Sequence, residues 1–315
     1  MEIRQLKYLL AAVECGSLGK AAAQLGTATS AISQQISQLE GELSTRLLVR
    51  SAAGVAPTEA GVLFCQHATL ALRHIDSAVT AAQGARLSGV VSLGLAPTTS
   101  SILALPLIHA MKQRYPHIRL QLVEGMSGHL SSMLKARQLD LAILFSAEQS
   151  GFAGSEVTPL LNETLFLIGR PEDLAQISFP SGNEEGVQLE EVAALPLILP
   201  SRSHGLRNSL DRAFATARRI PNITMEIDSL AIIMEVVSMG LGYSIQPGAA
   251  LSRQTREKVS ALPIATPGVQ RSNLLVSLPD HELSPTALAL RAQLCRVTAK
   301  LVREGKWLGA SLHDQ

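Results

Sequence analysis

The chain has 315 residues, a formal net charge of +1, 46% hydrophobic and 17% charged residues, which is ample for more than one packed core and far from a disordered composition. No apolar run reaches the roughly eighteen residues of a membrane span, and Glu2, Arg4, Lys7 and Glu14 stand where a signal peptide would carry a basic head and an apolar block. Cys15, Cys65 and Cys295 lie far apart with no Cys-x-x-Cys pair, the pattern of reduced thiols in a cytoplasmic protein rather than of a disulfide framework or a zinc site.

Ile3 to Glu14 reads as a first helix with Leu6, Leu9, Leu10 and Val13 facing inward. Ser17 caps a second helix whose Leu18, Ala21, Ala22 and Leu25 fall on one face, and a third repeats the pattern with Ile32, Ile36, Leu39 and Leu43. Gly26 can end the second helix in the left-handed region, and Thr27 or Thr29 can cap the third. Helices joined so tightly cross steeply, which is the helix-turn-helix arrangement and leaves one face of the third helix bare. That face carries Thr29, Ser30, Ser33, Gln34, Gln35 and Gln38. Glutamine amides donate and accept together and suit base edges in a major groove, while hydroxyls suit bases or phosphates. The alternative is an ordinary solvated helix face. Charge does not decide between them, because Arg4, Lys7, Lys20, Arg46 and Arg50 are balanced by Glu2, Glu14, Glu40, Glu42 and Glu59. Backbone contacts would then fall to Lys20, Arg46 and Arg50, to hydroxyls and to helix N-termini.

Leu47 to Val55 reads as a strand, a turn over Ala52 to Gly54 and a returning strand, a wing. Pro57 is expected to start a long helix running from Thr58 to about Ala85, with an apolar stripe of Phe64, Ala68, Ala71, Ile75, Ala78, Val79 and Ala82. Such a stripe suits a second copy of the same helix, or packing against the C-terminal part of its own chain. His67 and His74 are seven apart, which is not a metal spacing, and no metal is expected. Arg86 to Gly89 reads as a hinge.

From Val90 strands and helices alternate: VVSLGLA, a helix over Ser100 to Arg114, IRLQLVE, a helix over Gly128 to Ala136, and LDLAILF. A second set follows with ETLFLIG, a helix near Leu189 to Ala194, LPLILP, a helix near Gly205 to Arg218, ITMEI, a helix over Leu230 to Met239, and GYSIQ. RSNLLVSL and a helix over Pro285 to Arg303 close the chain. Alternation of this kind points to parallel sheets in two αβ lobes with a cleft between them. Ligands of such sheets lie beyond the carboxyl ends of the strands, where helix N-termini favour a small anion. That rule selects Pro97 to Ser101, Gly125 to Ser127 with Met126 between, Phe145 and Ser146, Pro200 to His204 including Ser201, Arg202 and Ser203, and Ser244, Ile245 and Pro247. Arg202 and His204 are the charged contacts expected there. No GxSxG, HExxH, P-loop or GxGxxG motif follows a strand, so no enzyme, catalytic residue or cofactor is expected. A pure ligand-binding receptor would need an export signal.

AAAQLGTATSAISQQISQLEGELSTRLLVRSAAGVAPTEAG contains the order Ala-Ala-x-x-Leu, Ser-x-x-Ile, Leu-Glu-x-x-Leu, Leu-Leu-x-Arg and Pro-Thr-x-Ala-Gly. It resembles the winged helix-turn-helix of LysR-type transcriptional regulators, and the likeness runs through the whole chain. Within that family LKYLLAAVECGSL, QLEGELSTRLLVR and LGLAPTTSS are most similar to the nitrogen assimilation control group. The resemblance implies an α/β chain with a winged helix-turn-helix DNA-binding domain at 1–58, a dimerising linker helix and hinge at 59–89, and a two-lobed, periplasmic-binding-protein-like effector domain at 90–315. Lobe I would hold about 90–161 and 266–315, and lobe II about 162–265. It implies contacts to promoter DNA through Lys20, Thr29, Ser30, Ser33, Gln34, Gln35, Gln38, Arg46 and Arg50, with an effector carboxylate at Thr98, Thr99 and Ser100 and with Ser201 and Ile245 across the cleft. Partners implied are double-stranded DNA, further copies in a homodimer or homotetramer, RNA polymerase and a small organic anion. Members of the nitrogen assimilation control group work without an obvious effector, so an unused cleft is the alternative. The chain departs from the family at Ala28, Thr29 and Ser30, and Ser51, Ala52 and Ala53 replace the usual basic wing tip, so a weak backbone grip by the wing is expected.

Overall fold

A computed structural model describes residues 1–51, 54–82, 87–145, 154–177, 186–202, 204–251 and 258–313. The wing-tip residues Ala52 and Ala53, the expected helix end at Ala85, the hinge residue Arg86, and Ser146 and Ser203 lie outside the described residues. The chain divides into two compact units, Met1–Leu87 and Ser88–Gln315. Among the described residues no helix is long and apolar enough to cross a membrane.

In the first unit α1 (Ile3–Cys15), α2 (Leu18–Gln24) and α3 (Thr29–Glu42) precede a two-stranded wing, β1 (Leu48–Ser51) and β2 (Gly54–Pro57), and a long helix, α4 (Glu59–Ala82). The helices meet over Leu9, Ala12, Ala21, Ala22, Ile32, Ile36, Leu39, Leu47 and Leu48, with Phe64 and Cys65 of α4 packed against them. Leu25 and Leu43 continue the apolar period in sequence but are exposed, because each falls on the C-cap residue where its helix face ends. Ser17 caps α2 by accepting from the Lys20 amide, and Gly26 turns the chain at φ 62°. Neither Thr27 nor Thr29 caps α3. The extended cap position is Ala28, whose carbonyl accepts from the Ala31 and Ile32 amides and which has no side-chain acceptor to offer.

The start of α4 also differs from expectation. Pro57 ends β2, paired with Leu48, and the hydroxyl oxygen of Thr58 accepts from the Gly61 amide to start the helix. Along the expected stripe Ala68 is buried and Ala71 and Ala78 are exposed, while the side chains of Val79 and Ala82 lie outside the description. Leu70, off the stripe, is buried; His67 and His74 are both exposed.

The second unit contains β3 (Gly89–Leu95), α5 (Pro97–Arg114), β4 (Ile118–Glu124), α6 (Ser127–Lys135), β5 (Leu141–Phe145), β6 (Glu156–Gly169), α7 (Pro171–Gln176), α8 (Leu189–Val192), β7 (Leu197–Leu199) and α9 (Gly205–Thr216). It continues with β8 (Ile223–Glu226), α10 (Leu230–Ser238), β9 (Ser244–Pro247), β10 (Ser260–Pro263), β11 (Gln270–Ser277), α11 (Pro285–Arg303) and β12 (Ala310–Leu312). β3 pairs in parallel with β4 and β5, and β7 with β8, as the alternation predicts. The other pairings are antiparallel: β11 lies between β5 and β6, and β6 also pairs with β9, β10 and β12. The ETLFLIG run is only the second half of the 14-residue β6, whose first half is interrupted in sequence by Pro159. α5 begins at Pro97 rather than Ser100, since proline at the first helical position has no N–H to leave unpaired.

β6 therefore serves both lobes. Its first half joins the β4-β3-β5-β11 sheet, whose core includes Leu130, Leu134, Leu139, Leu144 and Val276. Its second half carries β9 and β10, with the second-lobe core packed on its two faces around Leu167, Leu210 and Phe214 and around Phe166, Ile233 and Val237.

Candidate functional site

Ile32, Ile36 and Leu39 bury one side of α3, so the helix turns Thr29, Ser30, Gln34, Ser37 and Gln38 to solvent. With Ala28 as a cap that lacks a side-chain acceptor, the first-turn amides of Thr29 and Ser30 stay available at the positive end of the helix. Ser33 is half-buried and its hydroxyl accepts from Arg50 Nη1 at 2.7 Å, while Arg50 Nη2 lies 3.4 Å from the Ser37 hydroxyl. Arg50, on the first wing strand, is thus laid along the exposed helix face. Lys20 and Arg46 are exposed. Gln35 is placed differently from its neighbours: it is half-buried, and its Oε1 is sealed from solvent without a donor among the described residues.

The wing is fixed to α3 by a carboxylate. Glu40, buried beneath the helix, accepts from the Leu47 amide at 2.7 Å and the Leu48 amide at 3.0 Å, so the entry to β1 has its donors satisfied without a sheet partner. This is what the Leu-Glu-x-x-Leu run does physically.

In the second unit a cleft of 790 Å³ lies between lobes, walled by Pro97, Ser100 and Ser101 on α5, by Glu124 at the end of β4, and by Asp228, Leu230, Met234, Glu235 and Ser238 on and before α10, with Ala250 and Lys258. Of the residues expected there, Pro97, Ser100 and Ser101 line it. Thr98 and Thr99 sit in the first turn of α5 with their hydroxyls turned inward, to Arg271 and Asn273. Their amides have no acceptor among the described residues. Met126 is the half-buried cap of α6 and Ser127 its first residue, with a buried Oγ that has no partner among the described residues. Ser201 gives both its amide (2.8 Å) and its hydroxyl (3.0 Å) to Asp228, which holds that carboxyl below its ordinary pKa. Arg202 is 82% exposed and points to solvent beside Asp211. His204 caps α9 through Nδ1, which accepts from the Leu206 amide at 3.2 Å. Burial and the nearby Arg271 charge push its pKa below the usual histidine value, against an opposing pull from Asp228. Ile245 pairs with Leu167 in the second-lobe core, so its side chain is packing rather than cleft wall.

Sequence reasoning overlooked the group beneath Thr98. Arg271 Nε and Nη2 lie 3.0 and 2.6 Å from Glu163 Oε2, Nη2 donates to the Thr98 hydroxyl at 3.0 Å, and the guanidinium lies 3.6 Å from the Phe145 ring centroid. Glu163 also accepts from Asn273 Nδ2 and from Trp307 Nε1, each at 2.7 Å. The available signal was a charged residue within each apolar strand run, Glu163 before TLFLIG and Arg271 before SNLLVSL, a position that strands rarely bury without a partner.

A winged helix-turn-helix with a bare polar helix face, carried on one chain with a two-lobed αβ unit around a cleft, is the architecture of a DNA-binding regulator with a ligand-binding type of domain. Residues 3–62 match the bacterial regulatory helix-turn-helix protein family of lysR type, and residues 84–299 match the LysR substrate binding domain family. The chain belongs to the LysR family and is a DNA-binding transcriptional regulator with an effector-binding domain, not an enzyme. It is 36% identical over 310 residues to the nitrogen assimilation regulatory protein nac of Escherichia coli, covering 96% of this chain and 97% of that one. A full-length OxyR variant from Pseudomonas aeruginosa has a similar fold at TM-score 0.72 and 21% identity, with 95% and 94% of the two chains covered. Full-length CbnR in complex with its target DNA matches at TM-score 0.55 and 22% identity, with 95% and 100% covered.

Proposed function

We propose that the regulator reads promoter DNA with the exposed face of α3 and responds to a small organic anion bound between the lobes. The single observation that supports the DNA half is the bare run of Thr29, Ser30, Gln34 and Gln38 on the side of α3 away from Ile32, Ile36 and Leu39. Gln34 and Gln38 address base edges, Ser33 is aimed by Arg50, and Lys20, Arg46 and Arg50 take phosphates. Gln35, with its carbonyl oxygen sealed, contributes to orientation rather than readout. On this reading 1–58 is the DNA-binding domain, α4 pairs with the α4 of a second copy in a dimer or tetramer, 90–315 receives the effector, and the regulator acts with RNA polymerase in the cytoplasm.

The anion reading is supported by the α5 N-terminus, where the Thr98 and Thr99 amides have no acceptor among the described residues and Ser100 faces the cleft. One observation favours an effector-independent regulator instead: the Asp228 carboxylate already takes both donors of Ser201.

The DNA half is tested by gel shift with the DNA upstream of its own gene. Replacing Ser33 and Gln34 by alanine is expected to abolish site-selective binding while leaving the thermal transition in place. Selective binding by that double variant would reject the α3 assignment.

A further inference from the structure

Away from the cleft, a groove of 510 Å³ runs between the C-terminal halves of α5 and α11. Its walls carry Arg114 on α5, Arg296 and Lys300 on α11 and Lys306 just beyond, all exposed, against a single carboxylate, Glu304. Glu304 lies 2.6 Å from Lys306 and 3.8 Å from Lys300. Arg114 and Arg296 form no ion pair among the described residues; Arg296 Nη1 donates to the neutral Gln293 Oε1 at 3.1 Å. The whole chain carries only +1, so this is a local concentration of charge. The cleft wall has the opposite sign, with Glu124, Asp228 and Glu235 against Lys258.

Cations in the last turn of a helix offset its dipole, which accounts for Arg114 and Lys300. It does not account for Arg296, well before the last turn of α11, or for Lys306, outside the helix. Beneath the cations the floor is apolar: Pro106 and Ala110 of α5 are half-buried, and Val297 and Leu301 of α11 are buried. A concave basic surface focuses its field on an anion that enters it. A DNA backbone is convex and charged throughout, so it would meet the rim and leave the floor empty. A segment with aliphatic side chains set between carboxylates satisfies floor and rim together, as amphipathic helices do in grooves between helices.

We infer that the groove between α5 and α11 is a docking surface for a short acidic, leucine-bearing segment of a partner protein. The groove shares no residue with the cleft and needs no effector to be formed. Its rim cations set salt dependence and encounter, and its floor sets which side chains seat.

The test is fluorescence anisotropy of the full-length protein with a fluorescein-labelled helical peptide of glutamate carrying leucine at helical spacing, beside a labelled duplex that lacks an operator. Expected is saturable peptide binding that weakens as salt rises, is roughly tenfold weaker in Arg114→Ser/Arg296→Ser, and is lost in Ala110→Lys. Operator binding and the thermal transition are expected to stay unchanged in both variants. Ala110→Lys adds positive charge while filling the floor, so equal or tighter peptide binding there marks plain charge attraction and overturns the groove. Peptide binding unchanged in the double variant also overturns it, and weaker duplex binding alongside assigns the cations to DNA. No peptide binding by the wild type overturns the inference outright. Should a variant lose its thermal transition, the ring resonances of His109, which lines the groove, decide in the wild type. A saturable shift with peptide supports docking there, and no shift rejects it.

Discussion

The buried Glu40 carboxylate under α3 receives the backbone donors at the start of β1. Glu40 takes the Leu47 and Leu48 amides that a third wing strand would otherwise receive, so the wing needs only two strands. Glu40→Ala leaves both donors buried and unpaired and is expected to cost about 2–4 kcal/mol, read as a lower urea midpoint, with Glu40→Gln recovering part of it. An unchanged midpoint would mean that water reaches those amides. At this scale the sequence was legible where chemistry is local. The 3.6-residue period identified Ile32, Ile36 and Leu39 as buried, because helix geometry alone sets which side they share. It could not join Ser33 to Arg50, 17 residues away, or Glu163 to Arg271, 108 residues away, since only the folded chain brings those pairs together.

Among elements, the junction of β2 and α4 explains the Pro-Thr-x-Ala-Gly run. The Thr58 amide donates to the Leu47 carbonyl, its hydroxyl to the Arg46 carbonyl, and the same oxygen caps the helix at Gly61. A Cβ at Gly61 would fall on the Leu47 backbone carbonyl, which no side-chain rotation can relieve. Gly61→Ala is therefore expected to destabilise the first unit by about 1–3 kcal/mol or more despite alanine's better helix propensity, as seen in thermal melts. A neutral or stabilising result would show that α4 can shift off the wing. The expected helix start at Pro57 failed here because proline suits both a strand end and a first helical turn, and pairing with Leu48 decided between them. Likewise the strand-and-helix alternation identified most elements of the second unit but read antiparallel pairings as parallel, because alternation reports order along the chain and not direction within a sheet.

For the whole molecule, near-neutrality sets a measurable limit on DNA affinity. With Lys20, Arg46 and Arg50 as the phosphate contacts of each chain, a dimer neutralises roughly six phosphates, which predicts a slope of about −5 for log K against log salt. Gel shifts or anisotropy across a salt series measure it directly, and a slope near zero would remove those three residues from the interface. The bilobal organisation was readable from composition and order, whereas the cleft's charge was not, because Glu124, Asp228 and Glu235 are scattered in sequence and meet only in the fold.

The 14 residues of β6 are shared property. A protease cut within them would spoil the hydrogen-bond ladders of both halves at once, so neither half is a portable module that could be excised or grafted through a single splice. Chimaeras between relatives would have to keep Glu156 to Gly169 and Gln270 to Ser277 from the same parent, or the Glu163 to Arg271 pair would be split between strangers.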